Sequence, residues 1–308
     1  MKKILTPIQL FKYRAVTLSK MDDPDHHDEI LLKPDEYTVS SFTKSGTTWL
    51  QQIVHQLRTG GDDDFEEIDK VIPYLLPKNV FGNVLDDENG NQHYPRIFKT
   101  HLDYEDLVPN GGKHIYIMRN PEDSLWSNLH FLPKQVKVDN LNLREFYFEF
   151  YRDRPKGPNY WRMMKSWWPH HNETDKILFL HFEDLKEDRR TCIRQIAKFL
   201  NVQVTEELLD VVMHKSSYDF MRKHSHQFDD RFQVFQIRKD LGILDENDNK
   251  YHKGVGKVRE GGGETGQGSL HIPQDIKEDL QRVWMERVYP ATGCKDYWEL
   301  RKITTLIK

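Results

Sequence analysis

EYTVSSFTKSGTTWLQQIVHQL, residues 36–57, contains two patterns in direct succession. Residues 36–42 are rich in side chains that favour strands, and in residues 47–57 the apolar side chains recur at helical spacing. The short stretch between them, Thr43–Gly46, is polar and ends in a glycine. The sequence therefore predicts a strand that passes through a tight turn directly into a helix.

The same organisation recurs along the chain. Short apolar runs that are typical of buried strands occupy residues 96–100, 114–119 and 177–182. Pro121 suits the first turn of a helix after the second run, and residues 190–200 have a helical pattern after the third. Strands that alternate with helices predict an α/β fold, with a central parallel sheet of roughly four or five strands flanked by helices. We expect a single domain over residues 1–308.

Composition argues against several classes of protein. A net charge of −4 in 308 residues is atypical of a protein that coats nucleic acid or an anionic membrane. The apolar run after Met1 is interrupted too early for a signal peptide, and no stretch approaches the roughly 20 apolar residues of a membrane helix. The two cysteines, Cys192 and Cys294, are far apart and fit a reducing compartment. We therefore expect a cytoplasmic protein with no nucleic-acid or membrane partner.

The turn between the first strand and its helix has the features of a phosphate site. Backbone N–H groups at a helix N-terminus are unpaired and the helix dipole favours anions there. Gly46 permits close approach of a ligand, hydroxyl groups surround it, and Lys44 adds a positive charge. Because the lysine precedes the glycine, the segment is not a Walker A loop. The alternative interpretation is an ordinary Ser/Thr-capped helix beside a solvated lysine.

Three segments, in order along the chain, resemble motifs of the cytosolic sulfotransferases. KSGTTW (residues 44–49) is similar to the loop that binds the 5′-phosphosulfate in that family. KTHL (residues 99–102) resembles the segment that carries the catalytic histidine, and RNPEDSLWS (residues 119–127) resembles the signature for the 3′-phosphate. Three motifs in the family's order make coincidence an unsatisfactory explanation.

The resemblance implies both fold and chemistry. It implies a sulfotransferase fold, related in layout to P-loop nucleotide kinases, and transfer of a sulfonate from 3′-phosphoadenosine 5′-phosphosulfate (PAPS) to a hydroxyl or amine of a small-molecule acceptor. His101 is the implied general base, and Lys44 the cation that stabilises the leaving phosphate. Ser127 contacts the 3′-phosphate and the catalytic lysine in the family, and Lys99 adds positive charge. No metal is expected, because lysine, arginine and helix N-termini supply the charge.

The implied donor site draws on five segments of the chain. Its residues are Lys44, Ser45, Gly46, Thr47, Thr48 and Trp49, then Arg119 and Ser127, then Phe182, then Ser216 and Tyr218, and finally His252, Lys253, Gly254, Lys257 and Arg259. Beside Tyr218, which stands where phenylalanine is usual, three departures from the family bear on the donor site. Thr43 stands where proline is usual, Phe182 replaces a tyrosine that hydrogen-bonds adenine, and residues 252–259 match the last motif only in part. The cation of this last segment that meets the 3′-phosphate is therefore left open.

Several expectations concern the rest of the chain. Residues 62–91 and 224–269 are polar and are predicted to be surface loops, the second of them a lid over the site. The aromatic segments 146–151 and 160–168 are predicted to be helices packed into the core. By the resemblance, residues 129–137 with Phe81 form an apolar wall of the acceptor pocket.

Two other functions stay in consideration. A Mg²⁺-dependent, kinase-like phosphotransferase requires a Walker-type loop and a metal-binding aspartate, and neither is evident. A catalytically inactive protein that binds 3′-phosphoadenosine 5′-phosphate (PAP) would account for the three departures, but the intact Lys44 and His101 argue against it. The family's C-terminal dimerisation sequence does not occur, so a homodimer stays an open question, and the acceptor is not readable from the sequence.

Overall fold

A four-stranded parallel sheet forms the centre of the computed structural model, which describes residues 5–19, 32–75, 93–107, 111–154, 157–246, 248, 254–258, 261 and 263–306. The strands of the described part are β1 (Tyr37–Ser41), β2 (Ile97–Thr100), β3 (Lys113–Met118) and β4 (Ile177–His181), in the order β2–β1–β3–β4. The α/β fold with a central parallel sheet, predicted from the sequence, is confirmed.

The register of the strands places four chain segments in a row. Ser40 pairs with Thr100, Ser41 with Ile117, and Met118 with His181. Because all four strands are parallel, their carboxyl ends lie at one edge of the sheet, and ligands of such sheets bind beyond that edge. The segments that leave the strands there carry the motifs described above.

Helices cover the sheet and extend from it. Their bounds are α1 (Pro7–Ser19), α2 (Thr47–Thr59), α3 (Ile68–Val71), α4 (Tyr104–Leu107), α5 (Pro121–Leu129), α6 (Leu132–Gln135), α7 (Leu143–Phe146), α8 (Tyr160–Trp167), α9 (Phe182–Glu187), α10 (Arg189–Phe199), α11 (Glu206–Lys215), α12 (Tyr218–Lys223), α13 (Arg231–Asp240), α14 (Gln267–His271), α15 (Gln274–Arg287), α16 (Tyr289–Thr292) and α17 (Tyr297–Leu306). Within the described residues, no helix has the length and apolar character needed to cross a bilayer.

Two apolar cores form because alternate strand residues point to opposite faces of the sheet. On one face Val39, Ile115 and Leu180 pack with the buried side chains of α2, α10 and α11. On the other face Phe98 and Tyr116 pack with α5, α8 and α15. Each fully buried large apolar side chain contributes about 1.5–3 kcal/mol relative to exposure, so the two cores hold the carboxyl edge of the sheet in place.

The aromatic segments belong to the second core. Residues 147–151 form a π-helical turn after α7, and Trp161 and Trp167 of α8 are almost fully buried. Trp167 stacks on Tyr116 of β3 with ring centroids 4.7 Å apart. The prediction that these segments pack into the core as helices is confirmed for most of their aromatic side chains, whereas Phe148 is 40% exposed.

Residues 224–269 differ from the prediction of a continuous surface loop. They contain a 3₁₀ turn (Ser225–Phe228), the ten-residue helix α13 and the start of α14. Val234 and Ile237, three positions apart, are buried and give α13 one apolar side. The loop prediction is wrong here because the surrounding polar residues concealed this short apolar spacing.

The earlier polar stretch also contains structure. Residues 68–71 form the single turn α3, and Tyr74 makes an isolated parallel bridge with Lys99 of β2. Residues 76–91 of that prediction, including Phe81, lie outside the described residues.

Candidate active site

The loop that joins β1 to α2 is tightly curled. Lys44 has φ 63° and Gly46 has φ 106°, both in the left-handed region. A Cβ atom on Gly46 would lie 2.8 Å from the Phe182 ring, so this position requires glycine sterically as well as conformationally. The loop therefore passes close beneath Phe182 and ends at the N-terminus of α2, where unpaired backbone N–H groups favour an anion.

Ser45 is the most informative side chain of this loop. It is 1% exposed, and its Oγ has no hydrogen-bond partner among the described residues. Thr47, by contrast, is satisfied within the protein, since its Oγ1 lies 2.6 Å from Ser41 Oγ. Leaving a buried hydroxyl unpaired costs about 1–3 kcal/mol, which is consistent with a ligand oxygen as its partner. Thr48, the next residue, is partly exposed.

Arg119 follows β3 and lies against the same loop. It is 5% exposed, and its guanidinium donates to the Lys44 carbonyl at 3.3 Å and to the Glu264 carbonyl at 3.1 Å. The guanidinium carbon lies 4.2 Å from the Phe182 ring centroid, and no described residue bonds to its Nε. Burial lowers the pKa of Arg119, while the charge of Asp123 opposes this effect. Arg119 is thus a fixed, buried cation that has a donor to spare.

A cavity of about 230 Å³ lies beside this loop. Its described lining residues are Lys44, Ser127, His130, Phe131, Lys134, Arg238, Gly254, Val255, Gly256 and Lys257. Four of these carry positive charge and none carries a carboxylate, so the cavity suits an anion. The Lys44 ammonium lies 3.7 Å from the Phe131 ring centroid, which holds it at the cavity by a cation–π contact.

Arg238 was not among the predicted site residues. Its guanidinium bonds to Asp248 at 2.6 Å and to the carbonyls of Lys134 and Gln135. It therefore shapes the cavity wall by fixing α6 against α13. No motif could have signalled this role, because it depends on the packing of two helices about 100 residues apart in sequence.

His101 follows β2 and has a defined tautomer. Its Nδ1 lies 2.7 Å from the Ser41 carbonyl oxygen. Since a carbonyl oxygen only accepts, Nδ1 carries the proton and Nε2 keeps a free lone pair. Burial, with a further contribution from the charge of Lys99, lowers the pKa of His101 to about 3. The imidazole is therefore neutral near pH 7 and is able to accept a proton.

Two predicted cations are held by carboxylates. The Lys99 Nζ lies 2.9 Å from Asp69 Oδ2, and the Lys257 Nζ lies 3.1 Å from the same oxygen. Lys257 also pairs with Asp230. Neither aspartate was predicted from the sequence. Each lies far from its lysine partners along the chain, so no sequence pattern indicates the pairing.

A third group of predicted residues lies around Trp49. Its indole N–H donates to the Ser216 carbonyl at 2.7 Å, and its ring centroid lies 5.4 Å from that of Phe182. Ser216 is buried and its hydroxyl donates to the Val212 carbonyl, so its side chain is committed within α11. Tyr218 is 40% exposed. His252, Lys253 and Arg259 lie outside the described residues.

Comparison with known proteins follows this geometry. Residues 34–255 match the family model described as "Sulfotransferase domain", which covers more than half of the chain. The chain belongs to the sulfotransferase family. The family resemblance read from three short motifs, and the enzyme class that it implied, are thereby confirmed.

Curated relatives agree with this membership. The sulfotransferase is 31% identical over 218 residues to the amine sulfotransferase of Oryctolagus cuniculus, covering 67% of this chain and 69% of the relative. It is 32% identical over 213 residues to sulfotransferase 1E1 of Homo sapiens, covering 65% of this chain and 70% of the relative.

Solved structures share the fold. Mouse sulfotransferase SULT7A1 complexed with PAP has a TM-score of 0.63 at 18% identity and covers 94% of each chain. Retinol dehydratase in complex with androsterone and inactive cofactor PAP has a TM-score of 0.64 at 19% identity, covering 91% of this sulfotransferase and 85% of that chain. The predicted sulfotransferase fold is confirmed.

Asp123 of the RNPED motif binds the segment 264–268, which contacts Arg119. Its carboxylate accepts the backbone N–H groups of Gly266 at 2.8 Å and Gly268 at 2.7 Å. A Cβ atom on Gly268 would lie 2.3 Å from the backbone of Glu122, so only glycine fits there. The Glu264 carbonyl that receives Arg119 belongs to this segment.

Asp123→Ala is expected to destabilise the sulfotransferase by about 2–3 kcal/mol, because two hydrogen bonds to a buried carboxylate are lost and the buried Gly268 N–H is left unpaired. Urea denaturation followed by circular dichroism measures the change. Asp210→Ala, which breaks an exposed ion pair with Arg190, is the matched control and is expected to cost less than about 1 kcal/mol. Equal losses in the two variants would contradict the role of Asp123.

Proposed function

We propose that the sulfotransferase transfers the sulfonate of PAPS to a hydroxyl or amine of a small-molecule acceptor and releases PAP. One observation carries the proposal. The Ser41 carbonyl accepts a hydrogen bond from the Nδ1–H of His101, and the loop that carries Lys44 begins directly after Ser41. Ser41, at the end of β1, therefore orients the proposed base His101 and also begins the loop that carries the proposed cation Lys44.

The residues present fit the anionic donor. PAPS brings a 3′-phosphate of about −1.5 to −2 charges and a phosphosulfate, and it supplies both the transferring group and the leaving phosphate. The buried Ser45 hydroxyl, the spare Nε donor of Arg119 and the cationic cavity each offer what these oxygens require. We propose that Ser45–Thr48 hold the 5′-side, and that Arg119 and Ser127 hold the 3′-phosphate.

His101 is proposed as the general base. Its neutral Nε2 accepts the proton of the acceptor as the acceptor oxygen or nitrogen attacks the sulfur. A pKa of about 3 keeps the imidazole unprotonated over the whole physiological range. The negative charge of a bound donor raises that pKa, since a nearby anion favours imidazolium, and so makes His101 a stronger base when the donor is present.

Lys44 is proposed to stabilise the charge that develops on the leaving phosphate oxygen. Its ammonium borders the cavity and rests on the Phe131 ring, so it is already in place before the bond breaks. A positioned cation in a partly buried site stabilises developing charge more effectively than a solvated one. Lys99 acts at longer range, because its ammonium is paired with Asp69.

Trp49 and Phe182 are proposed to contact the adenine. The hydrogen bond to Ser216 fixes the indole, and Phe182 lies within ring contact of both Trp49 and Arg119. Phenylalanine offers only stacking at this position. Phe131, which contacts the Lys44 ammonium and lines the cavity, is one of the described members of the proposed apolar wall of the acceptor pocket.

A metal requirement is the main feature of the alternative phosphotransferase. Three carboxylates, of Glu67, Asp69 and Asp230, lie within 4.8 Å of one another and form a set that is able to hold a metal ion. The ammonium groups of Lys99 and Lys257 pair with two of them. We propose that these two cations take the place of a metal, and that the chain functions without one as a single domain.

Calorimetric titration with PAP and with ADP, both without Mg²⁺, tests the proposed donor. Tight binding of PAP and weak binding of ADP are expected. Equal binding of the two, or turnover that disappears on addition of EDTA, would favour the phosphotransferase. Tight PAP binding without transfer from PAPS to any of a panel of phenols and primary amines would favour an inactive PAP-binding protein.

Arg119→Lys is expected to weaken PAP binding by about 10- to 100-fold, because a single ammonium replaces a planar guanidinium that is able to bond two phosphate oxygens. Adenosine 5′-phosphosulfate, which lacks the 3′-phosphate, is expected to bind the variant and the unmodified protein within about threefold. Calorimetry with both ligands makes the measurement. An equal loss for both ligands would contradict the assignment of Arg119 to the 3′-phosphate.

A further inference from the structure

Four charged side chains form a buried cluster next to the proposed base, which we call the ionic latch: Asp69, Lys99, Asp230 and Lys257. Asp69 Oδ2 lies 2.9 Å from the Lys99 ammonium and 3.1 Å from the Lys257 ammonium. Asp230 pairs with Lys257 and lies 3.9 Å from Lys99. The side chains of both lysines and of Asp230 are at most 6% exposed, so solvent screens these pairs little.

The ionic latch joins four parts of the chain. Asp69 belongs to α3, Lys99 to β2, Asp230 immediately precedes α13, and Lys257 belongs to the glycine-containing segment 254–258 that borders the cavity. Lys99 lies two residues before His101. A single carboxylate therefore connects the strand of the proposed base with the segment that borders the proposed donor site.

Segment 254–258 is held at both ends. The Gly254 N–H donates to Asp229 at 3.1 Å, and a Cβ atom on Gly254 would lie 2.1 Å from the Asp229 carbonyl oxygen. The Lys257 N–H donates to the Phe228 carbonyl at 3.1 Å, while its side chain is bound by the two aspartates. The position of the segment thus depends on both backbone contacts and the ionic latch.

The two aspartates of the ionic latch differ in their surroundings: burial raises the pKa of Asp230, although the charges of Lys257 and Lys99 oppose this effect. Burial alone raises the pKa of Asp69, but the charges of Lys257 and Lys99 outweigh burial and hold the pKa well below its usual range. Glu67, next to the cluster, is 1% exposed, and burial raises its pKa to about 7. Gln51 fixes the other oxygen of Asp69 with a 2.7 Å hydrogen bond. Breaking one partner would leave a buried charge uncompensated.

We infer that Asp69 is a positioning residue for sulfonate transfer, whose carboxylate holds the Lys99 ammonium beside His101 and anchors segment 254–258 at the donor cavity through Lys257. The inference rests on the proposed function of this site. In this role Asp69 acts through its contacts with the two lysines, without bonding to the donor or the reacting atoms itself.

The contacts of Asp69 with Lys257 and with Lys99, the two arms of the ionic latch, have separable consequences. Through Lys257, Asp69 fixes a wall of the cavity and so affects donor binding. Through Lys99, it partly neutralises a positive charge that disfavours the imidazolium of His101, and so affects the step in which His101 takes a proton. A purely structural role would lower stability and leave the balance between donor KM and kcat unchanged.

Asp69→Asn removes the charge and keeps the shape and the hydrogen bond with Gln51. We expect PAP affinity and kcat each to fall about tenfold or more, since hydrogen bonds to charged groups are lost on both arms. Asp69→Glu, which restores the charge, is expected to recover part of both. The control Asp210→Asn alters an exposed ion pair and is expected to leave both quantities within about twofold.

Lys257→Met removes the lysine partner of Asp69 at the donor cavity and keeps a side chain of similar length. PAP affinity is expected to fall about tenfold with kcat within about threefold, and the double variant Asp69→Asn/Lys257→Met is expected to bind PAP no more weakly than Asp69→Asn alone. Unchanged PAP affinity in Lys257→Met would overturn the inference even if Asp69→Asn does not fold. Fully additive losses in a folded double variant would also overturn it. Failure of the unmodified protein to bind PAP would instead overturn the proposed function.

Discussion

Lys44→Met is expected to lower kcat by about 10²–10³-fold, the loss seen when one positioned group that stabilises a developing negative charge is removed. Methionine keeps the length of the side chain and its contact with Phe131 while it removes the charge. Transfer of the radiolabelled sulfonate from PAPS to a panel of phenols and primary amines measures the rate. Thermal unfolding of the variant is expected to be unchanged within a few degrees, because the Lys44 ammonium borders the cavity and not a packed core.

A control variant at another lysine distinguishes loss of the Lys44 ammonium from a change in net charge alone. Lys302 is exposed on α17, and Lys302→Met makes the same change in net charge. It is expected to keep kcat within about twofold. If Lys44→Met retained kcat within about threefold while the motif loop stayed folded, another cation would have to stabilise the leaving phosphate, and the assignment of Lys44 would be wrong.

His101→Asn is expected to lower kcat by about 10²–10⁴-fold with little change in PAP affinity, because general base catalysis contributes about this much. The asparagine amide is able to donate to the Ser41 carbonyl as Nδ1 does, but it offers no basic nitrogen. Single-turnover transfer from PAPS, with PAP affinity measured by calorimetry on the same preparation, separates the chemical step from donor binding.

His171 provides the control for this substitution. Its Nδ1 lies 2.8 Å from the Trp168 carbonyl oxygen, so it also contacts a backbone carbonyl, but within a single turn that follows α8. His171→Asn is expected to keep kcat within about twofold. A large loss of PAP affinity in His101→Asn would show that the histidine supports the loop of Lys44 and is not itself the base.

The parts of the site that the sequence predicted are those built from contiguous residues. The strand, loop and helix of residues 36–57 are contiguous in the sequence. The turn from strand to helix, with a glycine at position 46, could therefore be predicted directly. The arginine after β3 and the histidine after β2 could be placed at the same edge because parallel strands align their carboxyl ends. These placements needed local patterns and one rule of topology.

Contacts between distant segments could not be predicted from the sequence. Asp69 is 188 residues from Lys257, and no spacing indicates that the two meet. The tautomer of His101 depends on a carbonyl 60 residues away, and the wall formed by Arg238 depends on helix packing. Helix α13 was missed because only a few apolar residues mark its buried side. Charge pairing and hydrogen-bond partners are properties of the assembled fold.

The Ser41 carbonyl, which accepts a hydrogen bond from His101 Nδ1–H, joins the proposed base to the loop that carries Lys44. Ser41 is the last residue of β1 and the residue from which the loop to Gly46 departs. A nucleotide that draws this loop toward itself also moves the atom that orients the imidazole. The position of the loop and the orientation of the imidazole are therefore coupled through one carbonyl group.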